Sequence, residues 1–126
     1  MAQAKILVID DNSYMRKLLE SRLKANNFEV LLAENAKEAL DKAQNHTPDL
    51  ILLDISMPKV DGFQIGEKLK DNDKTRPIPI IFVTARGQEE EILKATKIGA
   101  VSYVIKPFKP EFLLGEIKKA LGGPKT

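Results

Sequence analysis

Asp49-Leu50-Ile51-Leu52-Leu53-Asp54 is the stretch that decides the fold. Four aliphatic residues run without a polar break between two acids. A run this short and this apolar suits a strand covered on both faces, as in the middle of a parallel sheet. An acid at its carboxyl end then stands at the mouth of the sheet, where open α/β folds bind ligands. Asp54 is therefore the expected chemical centre, with the other functional residues placed around it.

Two more apolar runs lie on either side in the chain. Lys5-Ile6-Leu7-Val8-Ile9 ends in Asp10-Asp11, and Ile80-Ile81-Phe82-Val83 ends at Thr84. Residues 28–33, interrupted by Glu29, and 101–105, which stop at Lys106-Pro107, are more polar and read as edge strands. Helices are expected between them. Asn12-Ser13 can cap one with Met15, Leu18, Leu19 and Leu23 at helical spacing, and Asn26-Asn27 stops it. Asn35 can cap a second, with Ala36, Ala39, Leu40 and Ala43 on one face and Pro48 after it. A loop over 55–62 holds Met57-Pro58 and Asp61-Gly62, and a third helix is expected over about 63–70. Residues 71–79, polar with two prolines, form a connection. Gln88-Glu89-Glu90-Glu91 opens a fourth helix ending at Gly99, with its acids where the helix dipole favours them. Pro110 suits the first turn of a fifth, which carries Phe112, Leu113, Ile117 and Leu121 and ends after Lys118-Lys119.

The pattern is strand then helix, five times over, with no internal repeat. The apolar strands belong at the sheet centre and the polar ones at its edges. Right-handed crossovers then allow a doubly wound α/β fold with the five-stranded parallel order 2-1-3-4-5. The topological switch point falls between the strands that end in Asp10-Asp11 and Asp54.

The length of 126 residues suits one domain with a real core. A net charge of +2 is too small to argue for direct nucleic-acid binding or an anionic membrane surface. No run approaches a bilayer span, so membrane insertion is not expected. The lack of cysteine excludes disulfide and thiol chemistry; with no signal-peptide pattern, it fits a cytoplasmic protein. His46 is the only histidine, expected to be exposed near a helix end, which argues against a zinc or triad site.

Asp10, Asp11, Asp54, Thr84 and Lys106 are thus delivered to one rim. Each has an ordinary reading alone: aspartates as turn or cap residues, Thr84 as a helix start, Lys106 as a solvated edge charge. The set is harder to dismiss. Three carboxylates at adjacent strand ends repel one another unless a cation neutralises them. Carboxylate and carbonyl oxygens suit Mg²⁺, and a lysine and a hydroxyl nearby suit phosphoryl oxygens.

With these residues assembled, the chain resembles a response-regulator receiver domain of two-component signalling, of the single-domain chemotaxis-regulator kind. The resemblance rests on Asp10-Asp11, Asp54, Met57-Pro58, Asp61-Gly62, Thr84-Ala85, Tyr103 and Lys106-Pro107, and covers nearly the whole length. It implies a flavodoxin-like fold with five helices, over residues 1–121, followed by a short flexible tail, 122–126. It implies that Asp54 is the phosphoacceptor and that Asp11, Asp10, Asp54 and the backbone carbonyl of Ser56 hold Mg²⁺. Asp10 would act largely through water. Lys106 would pair with Asp54 and then contact the phosphoryl group. Thr84 would swing to bond a phosphoryl oxygen and Tyr103 would follow it inward, although an edge aromatic covering a helix is the plainer reading of Tyr103. Lys106-Pro107 would be a cis peptide. The expected partners are a sensor histidine kinase or phosphotransfer protein as donor, and a downstream target protein or output domain. Such a chain promotes only its own phosphorylation and dephosphorylation, and is not otherwise an enzyme. Ala85 would leave the phosphoryl pocket open, while Ser56 and Arg86 would flank the path of attacking water, although a solvated surface residue is the plainer reading of Arg86.

Four other readings compete. An FMN-binding flavodoxin-like protein needs a Ser/Thr/Gly-rich phosphate loop where this chain has Asp10-Asp11. A haloacid-dehalogenase-like Mg²⁺-dependent phosphatase needs a DxD arrangement after its first strand, where this chain has Asp10-Asp11-Asn12. A nucleotide-binding domain needs GxGxxG or a P-loop, and neither is present. A degenerate receiver acting only in protein contacts would not keep the full acid set.

Overall fold

The computed structural model describes residues 3–55, 62–85 and 87–122. Strands and helices alternate: β1 (Lys5–Ile9), α1 (Ser13–Ala25), β2 (Glu29–Ala33), α2 (Ala36–His46), β3 (Leu50–Leu53), then α3 (Gly62–Asp71), β4 (Ile80–Thr84), α4 (Glu89–Ile98), β5 (Ser102–Ile105) and α5 (Pro110–Ala120). All strand pairs are parallel and the order is β2-β1-β3-β4-β5. The expected order is therefore the observed one.

β3 is narrower than its sequence suggests. Asp49 and Asp54 both lie outside it. The Asp49 carboxylate accepts from the Lys5 backbone N–H at 2.7 Å, closing the amino-terminal rim of the sheet. Leu50, Ile51, Leu52 and Leu53 are all 0–1% exposed. Each such side chain contributes about 1.5–3 kcal/mol of burial, which is why this strand can anchor both halves of the sheet. One face packs on α1 and α5 through Leu19, Leu23, Leu113 and Ile117. The other packs on α2, α3 and α4 through Ala39, Ala43, Phe63, Ile65, Leu69 and Ala95.

The expected caps form. Asn12 accepts from the Met15 N–H and Asn35 from the Glu38 N–H, both at 2.9 Å. Other boundaries shift by a residue or so. β2 starts at Glu29 and β5 at Ser102; α3 begins at Gly62, while Gln88 and Gly99 flank α4 as caps. Gly99 has φ +105, a left-handed conformation that glycine adopts without a Cβ penalty. α2 ends at His46, exposed as expected, with Thr47 in the left-handed region before Pro48. Leu18, expected at helical spacing with Met15, Leu19 and Leu23, is 37% exposed, and Phe112 of α5 is 54% exposed.

The 72–79 connection is a packed turn. Thr75 is buried and its hydroxyl donates to the Leu69 carbonyl, and the Lys70 ammonium donates to the carbonyls of Arg76 and Ile78. Each helix returns the chain to the amino-terminal rim. There Val101 and Ser102 meet Lys119 and Ala120 around a cleft of about 250 Å³. The start of β1 and the end of α5 therefore share the rim opposite the strand carboxyl ends. Among the described residues, no helix is long and apolar enough to cross a membrane.

Candidate functional site

The carboxyl-terminal rim gathers the expected residues. The ladder carries on one residue past two of the strands: the Asp10 N–H donates to Ala33 at 3.1 Å and the Asp54 N–H to Ile9 at 3.0 Å. Both acids are therefore fixed by backbone pairing at the switch point. Asp10 is 2% exposed and Asp54 6%, while Asp11 is open to solvent. Carboxylate oxygens of Asp10, Asp11 and Asp54 lie within 4.8 Å of one another.

Lys106 reaches this cluster from the end of β5. Its backbone N–H donates to the Thr84 carbonyl at 2.8 Å, extending the β4–β5 pairing. Its ammonium donates to Asp10 at 3.1 Å and to Asp54 at 3.5 Å. The expected pairing with Asp54 is present, but the shorter contact is to Asp10. The Lys106-Pro107 peptide is cis.

Burial pushes the Asp10 carboxyl above the ordinary carboxylate range, and the Asp54 charge pushes it the same way. The Asn12 N–H, donating to Asp10 at 2.9 Å, and the Lys106 charge act in the opposite direction without cancelling the effect. A site that disfavours its own carboxylate charge is one that a cation relieves. One lysine among three carboxylates formally leaves two negative charges, which a divalent ion balances. Hard oxygen donors so close together fit Mg²⁺. Ser56, expected to add a backbone carbonyl, lies outside the described residues, as do Met57-Pro58, Asp61 and Arg86.

Thr84 ends β4 and is fully buried. Phe82 pairs with Tyr103 and Thr84 with Ile105, so Thr84 and Tyr103 project from the same face of the sheet, on adjacent strands. The Phe82 and Tyr103 rings are 6.2 Å apart, and Tyr103 packs against the core on the α4 side. The plain expectation of an aromatic covering a helix describes this packing. Ala85 is exposed and lines a cleft of about 430 Å³ with Met15, Leu18, Lys106, Pro107 and Phe108.

Arg16 was not among the residues expected from sequence. Its guanidinium, with the side chain 14% exposed, donates to the Asp10 backbone carbonyl at 2.7 Å and pairs with Glu34 at 3.2 Å. Its position one turn after the Asn12 cap was the available signal, and Asn12 accepts the Arg16 backbone N–H at 3.0 Å.

Comparison with known proteins gives a consistent picture. The family described as "Response regulator receiver domain" matches residues 6–118. The protein named "Probable transcriptional regulator ycf27" of Porphyra purpurea is 40% identical over 117 residues, which are 93% of this chain and 47% of that protein. The chain thus spans about half the length of such relatives. The polar-differentiation response regulator DivK of Brucella anthropi is 38% identical over 120 residues, covering 93% of this chain and 95% of DivK. Chemotaxis protein CheY4 of Vibrio cholerae superposes with a TM-score of 0.90 at 31% identity, over 94% of this chain and 99% of that one. These matches set aside the flavin, dehalogenase-like and nucleotide-binding readings. The chain belongs to the response regulator receiver domain family, the phosphorylation-activated switches of two-component signalling.

Proposed function

We propose that the Asp54 carboxylate accepts a phosphoryl group from the phosphohistidine of a sensor histidine kinase or phosphotransfer protein. The observation that carries this reading is Asp54 itself: nearly buried, at the switch point, with the Lys106 ammonium 3.5 Å away and two further carboxylates beside it. A carboxylate oxygen forms the new bond to phosphorus. The phosphorus–nitrogen bond breaks, and its electron pair returns to the donor imidazole. Asp54 is already a nucleophile in its ionised form, so the surrounding residues mainly position it and offset charge. Asp10, Asp11, Asp54 and the Ser56 carbonyl would hold Mg²⁺, which when bound supplies charge neutralisation and orients phosphoryl oxygens. Lys106 exchanges part of its carboxylate pairing for a phosphoryl oxygen, and Thr84 donates its hydroxyl to another. Water attack on phosphorus later releases phosphate and restores the carboxylate.

In this reading the domain runs over 1–121 with a short tail at 122–126. It works in the cytoplasm, is not an enzyme beyond its own phosphorylation cycle, and makes no direct nucleic-acid contact. The signal leaves through α4, β5 and α5 to a target protein or output domain. Incubation with a small acyl phosphate and Mg²⁺ tests the chemistry by mass spectrometry. One labile phosphoryl group is expected on Asp54, with essentially complete loss in Asp54→Asn. Labelling of that variant at the parent's rate would place the nucleophile elsewhere.

A further inference from the structure

We infer that Arg16 is a positioning residue for the metal site, acting through the peptide unit between Asp10 and Asp11. This rests on the reading of the acid cluster as a Mg²⁺ site. A peptide unit is planar, so holding its oxygen sets the direction of both flanking Cα atoms. The Arg16 guanidinium holds that oxygen at 2.7 Å. Asp10 is fixed besides by its N–H bond to Ala33 and its carboxylate bond to Asn12. Asp11 is exposed, so the orientation of this shared peptide is what aims its side chain at the cluster.

The guanidinium is itself anchored. Glu34 binds it at 3.2 Å, and the Glu34 backbone N–H donates to Glu38 at 3.1 Å, tying the assembly to the first turn of α2. Arg16 thus links α1, the acid-bearing loop after β1 and the β2–α2 connection. A planar fork serves two acceptors in fixed geometry, which a lysine ammonium does not. Groups that support metal ligands in this way set affinity by preorganisation.

The effect has a distinctive sign. By Coulomb's law alone, removing a cation beside a dication site tightens Mg²⁺ binding; loss of positioning weakens it. Mg²⁺ titrations of the parent, Arg16→Ala, Arg16→Lys and Glu34→Gln, followed by the backbone amide shifts of residues 10–12, separate the two. Arg16→Ala should raise the Mg²⁺ Kd about tenfold, at the low end of what loss of a ligand-supporting group costs. Arg16→Lys, which keeps the charge, and Glu34→Gln should fall between that variant and the parent. Unchanged or tighter Mg²⁺ binding by folded Arg16→Ala overturns the inference. If that variant does not fold, parent-like affinity in both Arg16→Lys and Glu34→Gln overturns it. A parent that binds no Mg²⁺ would instead remove the metal site itself, and the inference with it.

Discussion

Burial and the neighbouring Asp54 charge both disfavour ionised Asp10, and this gives a direct prediction. Asp10→Asn keeps the shape and an acceptor for the Asn12 N–H while removing the disfavoured charge. Its melting temperature in EDTA should exceed the parent's, and its Mg²⁺ affinity should fall by at least about tenfold, since a ligand is lost rather than a supporting group. Melts with EDTA and with millimolar Mg²⁺ check both; a variant less stable than the parent in EDTA would mean that the Lys106 pairing outweighs desolvation. Asp10, Asp54, Thr84 and Lys106 were legible because each marks the point where an apolar run breaks. That Lys106 sits nearer Asp10 than Asp54 was not legible, since a half-ångström preference depends on side-chain paths. Arg16 was missed because its place one turn after the Asn12 cap does not by itself reveal that the guanidinium folds back onto the Asp10 carbonyl.

At the scale of elements, Gly62 is the sharpest case. The sequence offered Asp61-Gly62 as loop punctuation before a helix, yet Gly62 is the first residue of α3. A Cβ there would lie 2.4 Å from the Ile55 Cα and 2.5 Å from the Asp54 carbonyl oxygen. The glycine lets the start of α3 lie against the backbone of Asp54 and Ile55. Gly62→Ala should therefore destabilise the fold by about 1–3 kcal/mol, as overpacking does. Because the obstruction is backbone of residues 54 and 55, it should also slow phosphorylation. Urea denaturation and the rate with a small phosphodonor test the two effects; a parent-like result in both would show that the contact relaxes freely. Caps at Asn12 and Asn35 were readable from local chemistry. The exposure of Leu18 and Phe112 was not readable because helical spacing marks a stripe without fixing its width, and each lies at the margin of one.

For the whole molecule, ranking five runs by polarity separated central from edge strands, because only central parallel strands need both faces apolar, and right-handed crossovers then allowed the observed order. The placing of Thr84 and Tyr103 on one face is less visible in sequence, since it depends on register. Pairing of Phe82 with Tyr103 and of Thr84 with Ile105 puts Thr84 and Tyr103 on one face, beside α4. In the proposed switch, a phosphoryl group on Asp54 would draw Thr84 towards it and leave space on that face for Tyr103. Such a shift requires contact energies that differ between the two states, and the proposed Thr84 bond and Tyr103 packing would supply them. Amide exchange before and after phosphorylation should change within residues 84–112. α1 away from its site end should stay nearly unchanged. Thr84→Ala should still accept phosphate but transmit less of the change. Uniform protection, or none beyond the loop after Asp54, would place the switch elsewhere.

The start of β1 and the end of α5 share the rim away from Asp54. A cargo fused at either end of the folded unit would therefore hang clear of the acid cluster.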